Sequence, residues 1–288
     1  MKKITLTLIL CIASFSISAQ DDLFDVLDNE TTKGKNDNVV TSTFKGTRIA
    51  NGHSIENRKD GELEFIISHR FGRINTGFEE LFGLDQSNIR FALEYGVSNN
   101  LTAGFGRSSF EKVYDVFLKY SLAKQRKGEN SFPFAISLFG SVAAKSMKAV
   151  AGKERTFAES LSYVGQVLIA RKFSPSFSFQ VTPTYVHKNT VTTAADPHDV
   201  FALGLGSRLK LSNRVSINGE YFINFNETVS INSRNALAIG VDIETGGHVF
   251  QLILSNAITM IEKSFITETT GNFFGGDIHF GFNISRTF

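Results

Sequence analysis

Residues 275–288 read Gly-Gly-Asp-Ile-His-Phe-Gly-Phe-Asn-Ile-Ser-Arg-Thr-Phe. Ile278, Phe280, Phe282, Ile284 and Phe288 fall on one face of a period of two, and Asp277, His279, Asn283, Ser285 and Thr287 on the other. That is the period of a β-strand. A strand with an apolar face, a polar face and a C-terminal aromatic is suited to closing an outer-membrane β-barrel, where Phe288 serves as the assembly signal for the barrel-assembly machinery. Arg286 departs from the pattern, standing where such strands usually carry an apolar residue.

Eleven further segments of the same kind precede it: 62–71, 89–95, 101–107, 114–122, 132–142, 161–171, 176–187, 200–211, 215–226, 236–244 and 249–255. Most approach the ~9–11 residues a tilted strand needs to cross a bilayer. The predicted fold is all-β, a single transmembrane antiparallel up-and-down barrel of about 12 strands over residues 61–288. Connections after the second, sixth, eighth and tenth strands are short. Those after the first, fifth, seventh and eleventh are long and polar, and the ninth is followed by an intermediate one. Such alternation places every second turn in the periplasm. Only 123–131 is long on the short-turn side.

Alternation does not say which face meets lipid, and the tyrosines help to decide. Tyr95, Tyr114, Tyr120, Tyr163, Tyr185 and Tyr221 all share the face of the Ile, Leu and Phe residues. Five lie near strand ends, as an interfacial aromatic belt requires. The opposite face carries Glu62, Glu64, Arg90, Glu94, Asp115, Lys119, Gln166, Gln180, Arg208, Glu220, Asp242, Glu244 and Asp277, with His279 on the closing strand. So many ionisable groups are too costly for the dry core of a soluble domain, but they suit a wet or salt-bridged lumen. The acids on this face (Glu62, Glu64, Glu94, Asp115, Glu220, Asp242, Glu244, Asp277) outnumber Arg70, Arg90, Lys119, Arg208 and Lys210. The surplus predicts a mild cation preference in any pore they line, with Glu64 and Arg90 pairing across the first two strands.

The N-terminus begins with basic Met1-Lys2-Lys3, an apolar run over 4–15 and a small residue at Ala19, the pattern of a signal peptide over residues 1–19. Cys11, the only cysteine, would leave with it. Residues 20–60 are polar with little periodicity and read as a disordered or loosely packed periplasmic segment, open to an unidentified periplasmic partner. The chain holds 28 Phe and 24 Gly but only 4 Pro and no Trp, which agrees with strands. Removing Lys2 and Lys3 leaves 28 basic against 28 acidic residues, so no basic face invites nucleic acid.

No cofactor or metal is expected, since the six histidines lack ligand spacing. A membrane-embedded hydrolase would need His187 and Ser207 together on the outer face. The expected register sets them about 30 Å apart along neighbouring strands. The chain therefore reads as a non-enzyme.

Phe44-Lys45-Gly46-Thr47-Arg48-Ile49, Asn51-Gly52-His53-Ser54 and Ile67-Ser68-His69-Arg70-Phe71-Gly72 carry a family resemblance. So do Leu81-Phe82-Gly83-Leu84-Asp85, Gly106-Arg107-Ser108-Ser109-Phe110 and Asp199-Val200-Phe201-Ala202-Leu203-Gly204. It continues in Asp242-Ile243-Glu244-Thr245-Gly246-Gly247-His248-Val249-Phe250-Gln251 and Phe265-Ile266-Thr267-Glu268-Thr269-Thr270-Gly271. From about Phe44 to Phe288 the chain resembles domain-of-unknown-function family 5777, β-barrel proteins typical of Bacteroidetes envelopes. The resemblance implies a barrel and supplies no catalytic residue. Two function classes follow. One is a narrow channel or carrier for small solutes, using the charged lumen. The other is a structural or partner-docking barrel whose lumen is filled by its own side chains and leader. Barrels of ~8 strands are filled by side chains and those of ~16 leave a channel, so twelve lies between.

Overall fold

In the alternating segments most large apolar residues face out of the barrel and most polar or small ones face in, with Phe117, Phe139 and Phe222 among the inward exceptions, and the chain pairs segment by segment to satisfy every strand edge. A computed structural model describes residues 39–147 and 155–288. The signal peptide and residues 20–38 of the N-terminal segment lie outside the described residues. The strands are β1 (Leu63–Arg73), β2 (Ser87–Ser98), β3 (Leu101–Ser108), β4 (Val113–Ala123), β5 (Ala135–Lys145), β6 (Leu161–Lys172), β7 (Phe177–Lys188), β8 (Asp199–Lys210), β9 (Val215–Asn224), β10 (Ala236–Thr245), β11 (His248–Ser255) and β12 (His279–Thr287). Each pairs antiparallel with its sequence neighbours, and β12 returns to β1 to close the barrel. At the seam Ile67 lies opposite Ile284, and Leu63 and Phe288 exchange backbone N–H···O bonds of 2.8 and 3.3 Å.

The closing strand and the fifth start later than the periodicity predicts, each for a local reason. The closing strand begins at His279, because a one-turn helix over Phe273–Gly275 and a positive φ of 88° at Gly276 turn the chain first. The fifth begins at Ala135 rather than Phe132, because Phe132 bridges back to Arg126. The exception in connection length has the same origin. Arg126, in the connection between β4 and β5, also bridges Val39, so the long turn holds the incoming N-terminal segment.

The outward face is apolar, with Phe91, Leu93, Phe105, Val116, Leu118 and Phe201 among its exposed residues. Five of the six tyrosines are exposed on it and Tyr221 is half-buried. Tyr95 and Tyr120 lie toward one rim. Tyr114, Tyr163, Tyr185 and Tyr221 lie toward the other, as two interfacial girdles would. Arg286 is also outward and exposed, and its guanidinium lies 4.8 Å from the Phe288 ring centroid at the rim. Stacking on the terminal aromatic accommodates the one charge that breaks the closing pattern.

Two segments occupy the middle of the interior. The N-terminal segment enters it from the rim of the short turns and returns to start β1. The connection between β11 and β12 folds in from the opposite rim and carries a short helix, α1 (Glu262–Thr267), all six of whose residues are buried.

Candidate functional site: the filled lumen

The N-terminal segment was expected to be loosely packed, and for its described residues that expectation is corrected. All nine residues of Thr47–Ile55 are buried. The chain turns at Ala50-Asn51, between the paired Ile49 and Gly52. The Ile49 N–H donates to the Gly52 carbonyl (2.9 Å), the Ser54 N–H donates to the Thr47 carbonyl (2.8 Å), and Arg48 bridges His53. The turn directs three backbone N–H groups, those of Ala50, Asn51 and Gly52, at the carboxylate of Glu220 on β9, at 3.2, 2.8 and 3.0 Å. Arg70 donates to the Asn51 side-chain oxygen at 2.7 Å.

The carbonyls of a buried hairpin need hydrogen-bond partners, and wall side chains supply them. Gln251 donates to the Ile49 carbonyl (3.1 Å), Asn283 to that of Ala50 (2.9 Å), and Gln180 to that of His53 (2.8 Å). The Lys119 ammonium donates to the carbonyls of Ser54 (3.2 Å) and Glu56. Arg208 donates to the Ser42 carbonyl at 3.2 Å, lower in the segment.

The expected acidic surplus of the wall is largely met by the N-terminal segment. Arg58 lies 3.5 Å from Glu64 and Arg48 lies 3.7 Å from Glu94, while Lys45 contacts Glu244. The anticipated Glu64–Arg90 pair does not form. In the observed register Glu64 faces Glu94, and Arg90 instead binds both oxygens of Asp115, at 3.1 and 2.5 Å. The case for a cation preference loses its footing with these pairings, since the wall carboxylates hold the segment that fills the pore.

Of the residues expected to line the lumen, Glu64, Arg90, Glu94, Asp115, Lys119, Arg208, Glu220, Asp242 and His279 are buried on the inside, along with Gln166 and Gln180. Glu62 and Glu244 are half-buried, Glu62 just before β1 and Glu244 near the end of β10. Asp277 precedes β12 and belongs to a rim loop. The Asn272 N–H (2.9 Å), the Asn75 amide (2.9 Å) and Arg73 (3.2 Å) hold its carboxyl below the usual carboxylate range.

The second plugging element was read as a polar loop. In fact Ile261, Phe265 and Ile266 of this connection are buried, with Phe265 packed edge-on against Phe222 of β9 at 5.0 Å. Asn224 donates to the Ile266 carbonyl (2.5 Å) and the Thr228 hydroxyl to that of Thr267 (2.9 Å), satisfying the C-terminal end of α1. Arg48 at the hairpin donates to Glu262 of α1 at 2.6 Å, so the two plugging elements meet in one buried ion pair.

Two inward glycines set this packing. His53 sits between the rings of Phe117 and Phe139, at 4.5 and 4.4 Å. Phe117 lies across Gly104, where an added Cβ would stand 2.1 Å from the ring. Gly204 gives Phe222 the same freedom, with a Cβ 2.6 Å from that ring. Gly104→Val should therefore displace Phe117 and loosen His53, costing about 1–3 kcal/mol as overpacking does. Urea unfolding of the purified barrel, with Gly165→Ala at an open outward position as the neutral control, measures it.

On the outer face, His187 Nδ1 lies 2.7 Å from Asp199 and the Tyr185 hydroxyl donates to the same oxygen at 2.6 Å. Ser207 pairs with Phe179, eight positions along β7 from His187, so the two cannot act together.

Three comparisons place this geometry among known proteins. The family model described as Membrane bound beta barrel domain (DUF5777) matches residues 44–288, starting at Phe44 just before the hairpin. Comparison with curated proteins gives no match. Among solved structures, the KdgM porin is similar at 7% identity with a TM-score of 0.46, covering 79% of this chain and 99% of that one. The Acinetobacter baumannii outer membrane protein Omp33 is similar at 9% identity with a TM-score of 0.41, covering 80% and 99%. The COG4313 outer membrane channel from Pseudomonas putida F1 is similar at 10% identity with a TM-score of 0.47, covering 81% and 97%.

Proposed function

The chain belongs to the membrane-bound β-barrel domain family over residues 44–288, and from that premise we propose that it is an outer-membrane barrel held shut by its own N-terminal segment. Of the two function classes open from the sequence, the self-filled barrel is the one the geometry supports. The observation that carries this reading is the burial of the whole Thr47–Ile55 hairpin against wall groups drawn from nine strands. A narrow open channel would leave its charged wall facing water, whereas Glu64, Arg90, Glu94 and Lys119 are each no more than 2% exposed. The barrel thus serves as a structural or partner-docking element of the envelope. Planar-bilayer recording from the purified full-length protein tests it. The expected result is no steady ion current, and a persistent ohmic conductance would reject the closed barrel.

The orientation follows from connection length. The two-residue turns Asn99-Asn100 and Gly246-Gly247 belong to one rim, and the long connections 74–86, 146–160 and 256–278 belong to the other. With the short turns in the periplasm, a cysteine placed at Ala195 should react with an impermeant thiol reagent on intact cells and one at Asn99 should not. Both positions are exposed, so the reverse labelling pattern would mean that the barrel is inverted.

A further inference from the structure

Above α1, on the rim opposite the N-terminal segment, the barrel opens into a cup of about 910 Å³. That volume is within the range of small-molecule sites, roughly 300–1,000 Å³. Its floor is Lys263 and Glu268, and its walls come from the ends of β5, β6 and β7 and the connections beside them. Three carboxylates line it, and all three are engaged. Glu268 holds Lys263 at 2.8 Å, Glu111 takes both Lys145 and Lys263, and Glu159 accepts from the Thr156 N–H and hydroxyl at 2.8 and 3.0 Å.

Lys188, the last residue of β7, is different. It lines the same cup and is only 6% exposed, yet its ammonium finds a single partner, the Thr228 hydroxyl at 3.4 Å. No carboxylate lies within 4.0 Å of it among the described residues. Thr259, on the same wall, has a buried hydroxyl with no hydrogen-bond partner. Glu268 and Asp196 act on it only from beyond 4.0 Å, and a buried ammonium with no carboxylate in contact is costly, a cost that an anion seated on it would relieve. Arg155 adds a second cation to the lining, and Ser162, Thr190 and Thr192 add hydroxyl groups that suit oxygen ligands.

We propose that this cup is a binding site for a small oxyanion, a phosphate or carboxylate group seated on Lys188 and entering from the mouth opposite the hairpin. The site lies inside the barrel above α1, away from the lipid face, so its ligand is a free solute and not a membrane headgroup. Occupancy does not require the lumen to open.

The test uses the full-length protein in detergent micelles with its lysines carrying ¹³C-methyl groups, observed by NMR at fixed ionic strength. The Lys188 resonance is assigned by its loss in Lys188→Gln. Inorganic phosphate, sulfate and acetate are titrated in turn. At least one should move the Lys188 signal saturably, with half-saturation at roughly 1 mM or below, while the exposed Lys59 signal stays still. Isothermal titration with the same anion should show at least tenfold weaker binding in Lys188→Gln and near-normal binding in Lys188→Arg, which also controls for folding. Shifts that grow without saturation, shifts shared equally with Lys59, or no shift with any of the three anions would overturn the site.

Discussion

Replacing Glu220 by alanine is expected to free the Thr47–Ser54 hairpin and turn a closed barrel into one that leaks. The Glu220 carboxylate gathers three backbone N–H groups from the hairpin tip, and no other side chain takes that many of its backbone groups. Leaving buried donors without an acceptor costs their desolvation. Removing one side of a buried charged arrangement costs about 3–5 kcal/mol. Part of that is recovered here because Glu220 no longer has to be desolvated. A net loss of about 3 kcal/mol raises the undocked population roughly 100-fold. Trypsin reports it directly, because the bond after Arg48 is buried in the docked hairpin. Cleavage there should accelerate by about that factor in Glu220→Ala, while heat-modifiable migration on gels shows that the barrel remains folded. Glu220→Gln keeps an acceptor oxygen and should fall between. An unchanged cleavage rate in Glu220→Ala would show that Glu220 does not hold the hairpin.

The second large effect concerns the contact between the two plugging elements. Arg48 and Glu262 are 7% and 3% exposed at their side chains and 2.6 Å apart, yet lie 214 residues apart in sequence. Losing either partner strips the other of its closest counter-charge, leaving Arg48 beside the Phe117 ring with only Glu94 at 3.7 Å. Arg48→Met and Glu262→Leu should therefore each destabilise the folded protein by about 3 kcal/mol. The double variant should lose clearly less than their sum, since apolar replacement of a whole buried pair is often tolerated. Urea unfolding in detergent, with the same slope in all four proteins, gives the coupling energy. Additive losses would mean that hairpin and α1 are held independently.

The barrel was legible because strand alternation is a local signal. Phe280, Phe282 and Ile284 declare an outward face without reference to any other part of the chain, and the inward acids and bases follow by parity. The contents of the barrel were not legible in that way. The hairpin has no periodicity to read, because its backbone is satisfied by wall residues such as Glu220, Gln251 and Asn283, each about 170 or more positions away. Two local clues did exist. Asn51 and Gly52 are turn-prone residues beside the turn at Ala50-Asn51, and Phe44, Ile49 and Ile55 are apolar residues in an otherwise polar stretch. The same holds for the connection after β11. Ile258, Met260, Ile261, Phe265 and Ile266 make its first half apolar, and such residues have no reason to face water in a loop. The inward acids were assigned to passing ions, because cations that pair with several of them, Arg48 with Glu94 and Arg58 with Glu64, come from a segment whose fold could not be seen.

Whether the hairpin occupies the lumen can be measured by cross-linking its tip to the wall. Ala50 packs with Ala238 of β10 and Ile253 of β11 in a small buried cluster. With Cys11 replaced by serine, Ala50→Cys and Ala238→Cys should form a disulfide on mild oxidation of the full-length protein in membranes. Mass spectrometry of the digested protein would then recover one linked peptide pair, whereas Ala50→Cys paired with a cysteine at the outward, exposed Leu118 should give none. An Ala50–Ala238 pair that stays reduced while both cysteines react freely with a small thiol reagent would contradict a hairpin docked inside the barrel.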